Sequence, residues 1–158
     1  GLGDVYKRQT QQSRSADTRF VRPDPLLTMT IPSTAQKVIS VGAIHSYYEA
    51  YADFSGRGFT RLTNMVKPDL VAPGVEVMTT TVGGGYAAFT GTSFATPFVT
   101  GSAALLMEWG IVKGNDQYMY GEKLKAYLIN GATRVGNVWP DSARGWGELC
   151  VAASILAK

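Results

Sequence analysis

The stretch from Phe94 to Trp109 limits what this chain can become more than any other, because it is apolar on nearly every face. Phe94, Ala95, Phe98, Val99, Ala103, Ala104, Leu105, Leu106 and Met107 leave no polar stripe of the kind that a surface helix turns to water. A helix with this pattern is expected at the centre of a fold, buried all round. The small residues from Gly101 to Ala104 let strands approach its axis, and Gly110 is placed to end it. Thr96, Pro97, Thr100, Gly101 and Glu108 interrupt the run, so the roughly 18 unbroken apolar residues of a membrane span are not reached and none is expected.

A buried helix needs enough chain to cover it. With 158 residues, 45% of them apolar and 17% charged, the chain can form one soluble domain at most. Fifteen Lys and Arg against 12 Asp and Glu leave a scattered net charge of +3, too weak for a nucleic-acid groove. Cys150 is the single cysteine. It excludes an internal disulfide framework and a multi-cysteine zinc site, and its apolar neighbours read as core.

The segment 1–9 resembles a translated sequencing adapter and lacks the apolar region of a secretory signal, so it is set aside as non-native. Residues 10–25, with Arg14, Arg19 and Arg22, read as a polar loop or a poorly ordered segment. The folded part is expected over 26–158. Lys37 to Ala43 and Asp69 to Ala72 read as buried strands, the second closed by Pro73-Gly74. Tyr47 to Phe54 alternates weakly before a turn at Ser55 to Gly58. Val75 to Val82 and Tyr86 to Thr90 read as strands joined through Gly83-Gly84-Gly85. An amphipathic helix is expected over Glu122 to Ile129, with Leu124, Tyr127 and Leu128 inward, stopped at Asn130-Gly131. A last helix around Glu148 to Leu156 would pack through Leu149, Ala152, Ala153 and Leu156.

The chemistry lies where strand turns into buried helix. Ser93 falls in the first helical turn, where backbone N–H groups have no helical acceptor and the helix dipole is positive, so an oxyanion formed there would be stabilised. Pro97 has no N–H, which leaves the carbonyl one turn earlier without its helical partner. The plainer alternative is that Thr92 or Ser93 simply caps the helix.

The full string, Gly91-Thr92-Ser93-Phe94-Ala95-Thr96-Pro97-Phe98-Val99-Thr100-Gly101, resembles the active-site serine motif of the subtilisin-like serine proteases (subtilases, peptidase S8) at every fixed position. Val38 to Ala43 with Phe54-Ser55, Lys67 to Gly74, and Gly145-Trp146-Gly147 with Leu149 and Ala153 resemble further family segments in order, so the likeness covers about Ile31 to Ala157. It implies that Ser93 is the nucleophile of an endopeptidase working through an acyl-enzyme. It also implies that the Ser93 N–H is an oxyanion donor and that the Thr92 hydroxyl supports the oxyanion hole. Ile31-Pro32 stands where the family has an aromatic-proline pair with a cis bond beside the first specificity pocket, which makes these two residues candidates for substrate binding.

The resemblance also marks what is absent. His45, the one histidine, follows Val-Gly-Ala at a surface turn of the family and reads as structural or surface, not as the base. No Asp-Ser/Thr-Gly or His-Gly motif occurs, and no asparagine precedes Asn64; the oxyanion asparagine would fall near Arg19. The catalytic Asp and His are therefore expected upstream, which makes the missing N-terminal part of the same catalytic domain a partner beside the polypeptide substrate. The chain alone should be inactive. No cofactor is evident, calcium is implied by the family only, and no metal-ligand set is read. The family suggests a secreted or cell-envelope location.

An α/β-hydrolase elbow needs Gly-x-Ser-x-Gly and a histidine after the serine, and a Ser-x-x-Lys enzyme needs lysine where Thr96 stands. A phosphate cradle at Gly83 to Gly85 fails because those glycines precede a strand. A subtilase-like pseudoenzyme or peptide-binding domain without catalysis stays open at this point. The fold expected is α/β: the C-terminal part of a subtilisin-like domain, with a largely parallel sheet, helices on both faces and a buried central helix starting at the nucleophile.

Overall fold

The computed structural model describes residues 24–48 and 50–156. Residues 1–23 lie outside it, and with them the adapter-like segment and the position of Arg19. The fold is mixed α/β. Strands β1 (Val41–His45), β2 (Ala50–Tyr51) and β3 (Leu70–Pro73) form a sheet in the order β2-β1-β3. Strands β4 (Val77–Thr80) and β5 (Tyr86–Phe89) form a separate hairpin. Three α-helices follow: α1 (Thr92–Met107), α2 (Gly121–Asn130) and α3 (Val151–Leu156).

β1 and β3 run parallel, with Val41 opposite Leu70 and Ala43 opposite Ala72. The Gly147–Leu149 segment extends the pairing past β3: Val71 donates its N–H to Gly147 and its carbonyl accepts from Leu149, in a parallel bridge at Glu148. β1 with β2 and β4 with β5 are antiparallel. The expected largely parallel sheet is therefore not seen among the described residues. Short connections force this, since a tight turn can only return a strand antiparallel and a parallel partner needs a long crossover.

α1 packs across β1 and β3. Its buried residues are Ala95, Val99, Ser102 and Leu106, one stripe at helical spacing. Ala43, Leu70, Ala72, Ala95, Val99 and Leu106 form the centre of the core. Burial all round, expected from the sequence, does not occur: Phe98 is 43% exposed, Leu105 55% and Met107 46%. β1, β3 and the two later helices pack on the helix without enclosing it, so these side chains stay exposed. Gly110 does not end the helix. The backbone continues as a π-turn over Glu108–Val112, and Gly110 is buried where a Cβ would stand 2.7 Å from Met119 Cε and 3.2 Å from the Asp116 carbonyl oxygen. The segment Thr92–Val112 has 21 residues and is long and apolar enough, by length and composition, to cross a membrane. Its packing against β1 and β3 instead makes it the core helix of this fold.

α2 buries Leu124 and Leu128 as the pattern implies. α3 is shorter than expected and turns Ser154 inward, with its hydroxyl on the Cys150 carbonyl at 2.9 Å. Ile155 packs on the core, whereas Leu156, expected inward, is 81% exposed and Ala152 also faces out. Cys150 is half-buried and free.

Candidate active site

Two residues, Thr90 and Gly91, separate β5 from α1. Gly91 is the N-cap of α1, and no side chain makes a capping hydrogen bond there. The capping role open to Thr92 or Ser93 is thus not taken. Ser93 is exposed in the first turn, and Thr92 is half-buried beside it. The Thr92 carbonyl accepts from the Thr96 hydroxyl at 2.9 Å, while Pro97 has no N–H to give the Ser93 carbonyl.

The turn sits beyond the carboxyl ends of β1 and β3, the edge at which open α/β sheets place their ligands. Gly74, the residue after β3, accepts the Gly91 N–H at 2.7 Å and donates its own N–H to the Ile44 carbonyl at 3.0 Å. Thr90 is tied to the same end of β3, its hydroxyl accepting the Glu76 N–H at 3.0 Å. Phe94 stacks on Phe89 with ring centres 5.3 Å apart. Beside the stack, a shallow groove runs between β4 and α1, lined by Val77, Met78, Thr79, Phe94, Pro97 and Phe98.

This arrangement provides an exposed hydroxyl at the positive end of a sixteen-residue helix, among N–H groups free to donate to an oxygen that gains negative charge. A serine hydroxyl needs a neighbouring base to act as a nucleophile. His45 ends β1 and packs on Tyr48 with ring centres 4.5 Å apart, and its buried Nδ1 makes no hydrogen bond. That nitrogen therefore does not hold the Ser93 hydroxyl.

The Ile31–Pro32 bond is cis, as the resemblance implies. Ile31 is 71% exposed. The segment before it lies on the Gly56–Gly58 turn through Thr28 N–H to the Arg57 carbonyl at 3.2 Å and an antiparallel bridge between Leu27 and Gly58. No group of three or more His, Cys, Asp or Glu is gathered among the described residues. Sequence reasoning missed Gly74 and the Phe89–Phe94 stack. The Ala-Pro-Gly triplet was visible, but its contact with the serine turn joins residues far apart in the chain.

The sequence pattern of the subtilase family matches residues 20–147. The chain is 44% identical over 106 residues to an intracellular serine protease of Paenibacillus polymyxa, covering 67% of this chain and 30% of that one. It is 32% identical over 123 residues to the minor extracellular protease Vpr of Bacillus subtilis, covering 69% and 14%. Among solved structures, the Clostridium perfringens CspB protease superposes with a TM-score of 0.82 at 42% identity, over 88% of this chain and 30% of that one. The chain thus spans less than a third of the length of each of these relatives.

Proposed function

The chain belongs to the subtilase family, and from that premise we propose that it is the C-terminal part of a serine endopeptidase with Ser93 as nucleophile. The observation that carries this reading is the exposed Ser93 hydroxyl in an uncapped first helical turn beyond the carboxyl ends of β1 and β3. A capping serine would have its oxygen engaged with the helix; this one is open to a substrate.

In the reaction, the Ser93 oxygen bonds to the scissile carbonyl carbon while its proton passes to a histidine base held by a carboxylate. The Ser93 N–H donates to the resulting oxyanion, and Thr92 supports the same hole. Collapse breaks the C–N bond, and the amine leaves with the proton. Water then attacks the acyl-enzyme and returns Ser93. The base and its aspartate are supplied by chain upstream of this sequence. The same upstream chain completes a largely parallel sheet and covers the open face of α1, where Phe98 and Leu105 are exposed. Ile31 and Pro32 border the pocket for the residue before the scissile bond. The substrate is a polypeptide. One relative is extracellular by name and another intracellular, so kinship sets no compartment.

The test is peptide hydrolysis by the 158-residue chain alone and by a version extended with its upstream coding sequence. The chain alone gives no turnover above background. In the extended protein, Ser93→Ala lowers kcat by at least about a thousandfold while His45→Ala stays within about twofold. Hydrolysis by the chain alone that Ser93→Ala abolishes would overturn the shared-triad reading. An extended protein indifferent to Ser93→Ala would overturn the nucleophile.

A further inference from the structure

α1 begins without a side-chain cap, so something else must hold the turn that carries Ser93. We propose that Gly74 is the positioning residue for that turn, an inference that rests on Ser93 being the nucleophile. Gly74 is buried where three elements meet. Its N–H donates to Ile44 at the end of β1, and its carbonyl accepts from Gly91 at the start of α1, in bonds of 3.0 and 2.7 Å. The Gly91 carbonyl in turn accepts the Phe94 N–H at 3.0 Å, which closes the first turn around Ser93. A two-bond relay thus runs from the parallel sheet to the turn.

The missing side chain is what permits this. A Cβ on Gly74 would stand 2.6 Å from Ala43 Cβ, 3.0 Å from the Gly91 carbonyl oxygen and 3.2 Å from Ala95 Cβ. Real Cβ atoms do not approach other carbons at the first of these distances, and packed interiors do not yield freely. The second contact is with the backbone of the turn, which cannot give without moving Phe94 and Ser93. The Thr90 hydroxyl bond to Glu76 is exposed and anchors only the residue before. Gly74 therefore sets where the first-turn N–H groups point, at the scale of tenths of an ångström that oxyanion stabilisation requires.

The three contacts separate a structural role from a positioning one. Ala43→Gly removes the closest contact of Gly74→Ala, yet leaves the Gly91 oxygen contact in place. The Ala43→Gly/Gly74→Ala double variant should regain the folding that Gly74→Ala loses while its serine turn remains displaced. Backbone amide exchange and ¹H–¹⁵N spectra of the 158-residue chain read this without needing activity. In the wild type, the Gly91 N–H should be protected to the level of β3. In the double variant, the amides of Gly91 to Phe94 should shift and exchange at least about tenfold faster, with Leu70 and Ala72 unchanged. A wild-type Gly91 amide exchanging as fast as those of Gly83 to Gly85 overturns the proposal, even if neither variant folds. So does a folded double variant with an unmoved turn. Because these readouts are independent of turnover, the failure of Ser93 as nucleophile would show separately, in the Ser93→Ala comparison.

Discussion

Asp69 has both carboxylate oxygens occupied. Lys125 Nζ lies 2.6 Å from Oδ1, and Lys67 Nζ lies 2.7 Å from Oδ2, which also accepts the Ser40 N–H at 2.7 Å and its hydroxyl at 3.0 Å. Lys67 and Asp69 are almost wholly buried. Burial pushes the Lys67 ammonium below the ordinary lysine range, and its hydrogen bond to Asp69 opposes that shift. Two cations share one carboxylate, so removing the carboxylate strands buried charge. Asp69→Ala is expected to cost about 3–5 kcal/mol in urea unfolding, because the buried Lys67 loses its partner and its compensation. Breaking the exposed Lys37–Glu122 pair at 3.1 Å by Lys37→Ala should cost about 1 kcal/mol or less. Equal losses from the two substitutions would contradict this view of the cluster. The Lys67-Pro68-Asp69 string was visible as the lead into β3, but the arrival of Lys125 at the same carboxylate was not.

At the scale of the element, α2 is held to the turn after the π-segment through Asp116. Lys123 Nζ reaches Oδ1 at 2.6 Å, and the Tyr127 hydroxyl donates to Oδ2 at 3.0 Å. The hydrogen bond from Lys123 holds the Asp116 carboxyl below its ordinary value of 3.8. A carboxyl whose folded pKa is depressed binds its proton more readily in the unfolded chain. Its contribution to stability is full above 3.8 and is lost as pH falls through the lowered folded value. Thermal unfolding of wild type and Asp116→Asn should therefore diverge above pH 3.8 and converge below it, with the variant's acid slope shallower by up to about one proton. Parallel curves would show that the carboxyl does not clamp the helix. The positions of α2 and its inward Leu124 and Leu128 were legible from helical spacing. The continuation of α1 through Gly110 was not, because glycine after an apolar run ordinarily signals a stop, and only the closeness of Met119 and Asp116 reveals a packing demand.

At the scale of the whole molecule, the exposed apolar side of α1 is unbalanced among the described residues. α1 buries a single stripe, and Phe98, Leu105 and Met107 remain exposed on a helix that the sequence made apolar on nearly every face, with Val112 exposed in the π-segment beyond it. An open apolar face of this kind fits the proposal that the upstream part of the same protein lies over it. The 158-residue chain by itself should bind a hydrophobic dye and associate as its concentration rises. Phe98→Glu with Leu105→Glu should reduce both while leaving the melting temperature within about 3 °C, since neither side chain is in the core. A monomer without dye binding would mean that the face is closed in solution by this chain itself.

Local chemistry decided the parts of this protein that depend on neighbours in sequence. The β-branched runs near β1 and β3, the glycine turn between β4 and β5, the spacing of α2 and the eleven-residue serine motif are short-range patterns, and each set its element to within a few residues. Relations between distant residues were decided by the tertiary structure alone. Only packing showed that one face of α1 stays open, that Lys125 closes on Asp69, that Leu156 points outward and that Gly74 meets Gly91. The physical reason is that propensity and periodicity act along the chain, whereas burial, charge compensation and close backbone approach depend on which surfaces the fold brings within a few ångströms.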